Sequence, residues 1–218
     1  MKKYFISIFL FLFSIFLLTI SVRGETLKKI HMNLNEKQIA ITFLNSENMK
    51  ALLVSSKKED FIILLEGIGN LDFKKELAFF QYDEIDTLVV TEEIPLLEQD
   101  KFRFQVYEEE YETSNIEVKT SYEKTIISYF NHKFCVATRK DQDLDECNYI
   151  YLLDPTLNQE FSEEIKVVIY DEGVQEETIL KNYNNWIDTV KLSGENYISF
   201  LFTPDTYEMV RIPKKTAS

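Results

Sequence analysis

The sequence predicts a layered α/β or α+β fold, with mixed sheets and flanking helices behind an N-terminal apolar helix. Three observations lead there. Short apolar runs separated by polar turns recur along the whole chain, two segments between them carry helical spacing, and several runs are continuously apolar, as strands covered on both faces are. The 218 residues include 5 Gly and 4 Pro. No long break rich in Pro, Gly or Ser interrupts the body, so one domain of about 190 residues is the economical division.

Residues 4–22, YFISIFLFLFSIFLLTISV, carry no charge and are bracketed by Lys2, Lys3 and Arg23. A helix of that length approaches the ~30 Å hydrocarbon core of a bilayer. The run is long for a cleaved signal, and Val22-Arg23-Gly24 is a mediocre cleavage site, so residues 1–24 are expected to be a transmembrane anchor or, failing that, a signal peptide. The basic start keeps the N-terminus inside. The expected location is therefore the cell membrane, single-pass with the C-terminal domain outside, or alternatively secretion. The membrane partner acts through residues 4–22 alone, because the acidic remainder is repelled by anionic lipid.

A polar linker, 25–37, leads to a single domain over 38–212 and a tail over 213–218. Residues 38–44, 50–55 and 61–67 form a meander of three strands. Residues 71–80 read as a short helix with Phe73, Leu77 and Phe80 on one face and Asp72 as a cap. The run 85–91 is a covered strand, whereas 101–107 and 115–120 alternate and keep one wet face. Two further strands flank Asn131-His132, read as a turn. Strands at 148–153 and 165–171 follow. Val174, Ile179, Tyr183, Trp186 and Ile187 then trace a helical face across 174–188. Residues 197–202 and 207–212 close the chain as a hairpin.

Composition excludes several chemistries. A net charge of −13 makes nucleic acid an unlikely partner. Two His rule out a multi-histidine metal site, and two Cys rule out a cysteine-rich zinc module. The acidic run 141–146 lacks the Gly and Glu that a calcium loop needs at its sixth and twelfth positions, where Glu146 and Leu152 stand. Glu108, Glu109 and Glu110 read as a solvated turn, and His31 and His132 as lone surface histidines. There is no Gly-x-Ser-x-Gly elbow. Cys135 and Cys147, twelve residues apart, either pair outside the cytosol or are two buried small hydrophobes.

The order of segments resembles the metallo-β-lactamase-like hydrolase domain of bacterial competence DNA-uptake channels. The residues that carry the likeness are Phe43-Leu44-Asn45-Ser46-Glu47-Asn48-Met49-Lys50, then Leu64-Leu65-Glu66-Gly67, then Ile85-Asp86-Thr87-Leu88-Val89-Val90-Thr91. Residues 134–140 with Asp141, and 149–156, stand where the family places its later metal-bearing strands. The resemblance implies an αββα layering over residues 38–212. It equally implies a lost site: where the family has His-x-His-x-Asp-His, this chain reads Glu92-Glu93-Ile94-Pro95. Carboxylates alone suit hard cations rather than zinc.

The functional expectation is a non-catalytic exported or membrane-anchored domain with a binding or structural role and no cofactor or metal, its possible partner a protein. The alternative is a hydrolase of unassigned type using acidic residues, for which Glu92, Glu93 and Asp141 are the candidates. A third reading is a small all-β or α+β exported domain unrelated to that family.

Overall fold

The computed structural model describes residues 34–46, 49–67, 73–82, 85, 87–90, 105–107, 109–113, 115–121, 124–138, 143–153, 162–171 and 187–214. Among these residues fourteen strands and one helix run in the order β1 (Ile39–Ser46), β2 (Met49–Ser56), β3 (Asp60–Gly67), α1 (Phe73–Phe79), β4 (Thr87–Val90), β5 (Gln105–Tyr107), β6 (Glu110–Glu112), β7 (Ile116–Thr120), β8 (Lys124–Tyr129), β9 (His132–Ala137), β10 (Tyr149–Leu152), β11 (Val167–Tyr170), β12 (Asp188–Lys191), β13 (Asn196–Phe202) and β14 (Tyr207–Pro213).

The strands make two seven-stranded sheets, β14-β13-β1-β2-β3-β4-β5 and β12-β11-β10-β9-β8-β7-β6. Each has an antiparallel part and a part in which successive strands lie parallel, side by side in chain order. In the first sheet the parallel part is β3-β4-β5; in the second it is β9-β10-β11-β12, giving a solenoid-like progression. Period-two alternation explains the shared core. Ile39, Ile41 and Phe43 of β1, Phe200 and Phe202 of β13, and Phe134, Tyr149 and Tyr151 of the second sheet meet in one apolar layer. Rings cross that layer, with Phe43 lying 5.0 Å from Tyr151 and 6.0 Å from Phe134.

The opposite faces are apolar as well. On the first sheet, α1 sets Leu77, with Phe80 just beyond it, against Leu53, Ile62, Leu64 and Val90. Its Glu76 is buried and accepts a hydrogen bond from the Tyr197 hydroxyl of β13. The helix stops where Gln81 takes a positive φ of 63° and its N–H donates to the Ala78 carbonyl.

These findings correct the expected α/β or α+β layering. Among the described residues the only helix is α1, and the architecture is all-β, not αββα. Continuous burial of β10 and β11 does reflect cover on both faces, but the described cover of the second sheet is not helical. Leu144, Cys147, Ile165 and Ile187, all from connecting segments, pack on Ile150, Leu152 and Val168. Part of the predicted helix at 174–188 is overturned too: Ile187 leads directly into β12, whose Val190 faces the shared core. Residues 174–186 lie outside the described residues.

The resemblance to metallo-β-lactamase-like domains falls with the layering that it implied. Of the third reading, a small all-β or α+β exported domain unrelated to that family, the structure shows the all-β architecture. The membrane expectation is likewise not supported. No helix among the described residues is long and apolar enough to cross a membrane. The seven residues of α1 span about 10 Å against a core of ~30 Å. The expectations of single-pass topology at the cell membrane and of attachment through residues 4–22 are corrected to this extent, that no described helix supports them; that segment itself lies outside the described residues.

Candidate functional site

Four inward-facing rows of the sandwich change from apolar to polar at the same rim. The row Ile39, Ile41, Phe43 of β1 continues to Asn45. The row Val54, Leu52 of β2 continues to Lys50, and that of β11 runs through Val167 and Ile169 to Asp171. In β10 the Tyr151 ring stays in the core and its hydroxyl emerges among these groups. β3 joins through an irregularity. Lys50 pairs with Glu66 but Ala51 pairs with Leu64, so Leu65 is an extra residue and Glu66 is re-aimed toward Lys50.

Lys50 Nζ lies 3.0 Å from Asp171 Oδ2 and 3.2 Å from Glu66 Oε2. The Tyr151 hydroxyl donates to Asp171 Oδ1 at 2.8 Å, and Asn45 Nδ2 donates to the Tyr151 oxygen and to Asp171 Oδ1, each at 3.2 Å. Lys214, past the end of β14, donates to the Asn45 carbonyl at 3.0 Å while its ammonium sits 4.5 Å from the Tyr197 ring centre. Asn45 Oδ1 and Ser46 Oγ are buried without a hydrogen-bond partner. The cluster therefore ties β1, β2 and β3 of one sheet to β10 and β11 of the other.

Electrostatics set these groups away from reactivity. Burial alone would pull the Lys50 ammonium down, but Asp171 and then Glu66 outweigh it, so its pKa lies above the ordinary lysine value. Burial, then the Asp171 charge, pushes the Tyr151 phenol well above its usual range. Near neutral pH Lys50 is a fixed cation and Tyr151 a fixed donor.

At the opposite rim, the expected turn at Asn131-His132 is displaced by one residue. Tyr129 pairs with His132, which leaves Phe130 and Asn131 as the loop, with Phe130 at φ 49° and exposed. His132 is thereby the first residue of β9 and 4% exposed, not a surface histidine. Its Nδ1 lies 3.0 Å from the Tyr149 hydroxyl and its Nε2 2.8 Å from the Thr203 carbonyl in the β13–β14 turn. On the outer face near this end, Cys135 of β9 and Cys147 just before β10 form a disulfide with Cα atoms 5.9 Å apart. Both are fully buried, and of the two readings of these cysteines the structure shows the paired one. Lys124 and Lys133 converge on Glu146 beside it, at 3.1 and 2.7 Å, and hold that carboxyl below its ordinary value.

The candidates Glu92, Glu93 and Asp141 lie outside the described residues, as do Asp154 and His31. Among the described residues, no group of three His, Cys, Asp or Glu side chains is placed to hold a metal ion. Sequence reading missed Lys50, Tyr151 and Asp171 as a set. The signal was present in strand parity, since Lys50 and Asp171 are charged residues occupying core-facing positions at strand ends. No family model matches the chain, and no curated protein matches it.

Proposed function

We propose that this protein is an exported, non-catalytic domain whose role is binding or structural. The observation that carries the reading is the clamp at the rim, where Lys50 is shared between Glu66 and Asp171 and Tyr151 and Asn45 are both committed to Asp171. Catalytic acids, bases and nucleophiles work best with pKa values near the working pH. Here the lysine and the tyrosine are both driven away from it. Lys50 and Asn45 of one sheet both hold Asp171 of the other, which is the arrangement of a scaffold. The Cys135–Cys147 disulfide supports export, because such bonds persist in oxidising compartments.

The test is a hydrolase panel on the purified, oxidised full chain, using carboxylic esters, phosphodiesters and peptides, with and without added zinc, manganese or magnesium. Rates indistinguishable from buffer are expected throughout. Turnover that a chelator abolishes and metal restores, or that survives repurification with the protein peak, overturns the reading.

A further inference from the structure

We propose that Lys50 and Asp171 are the two halves of a self-formed amide cross-link between the sheets, with Glu66 as its proton carrier. The rim clamp holds the parts that such a bond requires. Lys50 Nζ, the nucleophile, lies 3.0 Å from Asp171 Oδ2. The other carboxyl oxygen, Oδ1, accepts from the Tyr151 hydroxyl at 2.8 Å and from Asn45 Nδ2 at 3.2 Å. These two donors polarise Cγ and are already placed for the negative charge that Oδ1 takes on when an amine adds to that carbon. Glu66 Oε2 lies 3.2 Å from Nζ, within reach of the protons that must leave it.

The step balances with no further reactant. Glu66 moves one proton from the Lys50 ammonium to Asp171 Oδ2, which leaves an amine facing a neutral carboxyl. Nζ then bonds to Cγ, and an electron pair goes to Oδ1. Glu66 carries a second proton from Nζ to Oδ2, the Cγ–Oδ2 bond breaks, and Oδ2 leaves as water. One ammonium and one carboxylate have become one amide and one water, and Glu66 ends as it began. The bond joins β2 of one sheet to the residue after β11 of the other.

The Lys50 cation is the resting form and is not itself nucleophilic. An ordinary lysine, of pKa ~10.4, is neutral in fewer than about one molecule in a thousand at pH 7, and Lys50 lies above that value. Contact works in the opposite direction, since well-oriented neighbours react with effective molarities of about 10⁵–10⁸ M. The bond also has to form only once in the life of each molecule. It consumes its own lysine, so it gives no turnover in a hydrolase panel. The inference goes beyond the scaffold reading, which stands with or without the bond.

Intact mass and peptide mapping of the oxidised full chain, after denaturation, test this. The mass should fall short of the sequence by the hydrogens lost to the disulfide and by one water, and digestion should release a branched peptide joining Lys50 to Asp171. Both signs should vanish in Lys50→Arg. In Glu66→Gln, at a half-exposed site, the bonded fraction of freshly synthesised chain should rise about 10²–10⁴-fold more slowly. A wild-type chain that keeps the water, or loses it with no branched peptide, overturns the proposal and leaves the scaffold reading untouched. Bonding at the wild-type rate in Glu66→Gln overturns the role given to Glu66. Should that variant fail to fold, the wild-type map decides alone.

Discussion

Where β1, β2, β10 and β11 come together, a lysine shared by two carboxylates holds the sheets; where β9 and β10 begin, an uncharged imidazole does so, with a disulfide on the outer face behind it. The difference follows from solvent access. Lys50 and Asp171 keep 28% and 27% of their side chains exposed and Glu66 keeps 52%, so the ions are partly hydrated and their desolvation cost is moderated. His132 is closed off, and a charge there would have no comparable hydration. One end tolerates ions because water reaches them; the other relies on neutral groups and a covalent bond. Salt and pH should therefore act on the two ends unequally.

The largest effect separates them covalently. Removing the disulfide by Cys135→Ala/Cys147→Ala should cost about 3 kcal/mol, the loop-entropy value for a bridge of this span, read from urea denaturation. The loss should fall on the His132 end. Cys147 and Asn148 lead into Tyr149, and Asn148 Oδ1 accepts from the Lys133 N–H at 3.0 Å. Amide exchange should rise at Thr203 before it rises at Asn45. Equal acceleration at both would erase the distinction.

Next comes the charged end. Asp171→Ala strips the acceptor from Lys50, Tyr151 and Asn45 together and should cost about 2 kcal/mol. Lys50 keeps Glu66 as a partner, which limits the damage. Denaturation showing no change within a few tenths would mean that the clamp is ornamental and would weaken the scaffold reading with it.

Much of the β pattern was legible because period two is local. Runs at 38–44, 50–55 and 61–67 become β1 to β3, and 197–202 with 207–212 become the β13–β14 hairpin, extended only by a residue or two at most ends. Neighbourhood was not legible. Nothing in the hairpin's own residues says that it returns to pair with β1, as Ile41 opposite Phe200 shows. The fold class failed on one inference, that continuously apolar strands imply helical cover, when Leu144, Ile165 and Ile187 cover them from loops. His132 was misplaced because a two-residue hairpin loop usually announces itself with Gly or Asn at its first position, and here Phe130 takes that strained place. The clamp was hidden because its members are far apart in sequence. Lys50 and Asp171 meet only across two sheets.

The smallest effect gives the sharpest contrast, because it compares one chemical change at both ends. Tyr151→Phe and Tyr149→Phe each delete one hydroxyl from neighbouring inward positions of β10. Tyr151 donates to a carboxylate, so its loss should cost about 1.5 kcal/mol. Tyr149 donates to a neutral imidazole and should cost about 1 kcal/mol. The pH responses should diverge further. Without the Tyr149 hydroxyl, Nδ1 of His132 loses its hydrogen-bond partner, so the His132 titration midpoint, read by NMR, should shift in that variant. Tyr151→Phe should leave that midpoint where it was. Identical midpoints in the two variants would show that the Tyr149 contact does not influence the imidazole, and the contrast between a charged end and a neutral end would then rest on burial alone.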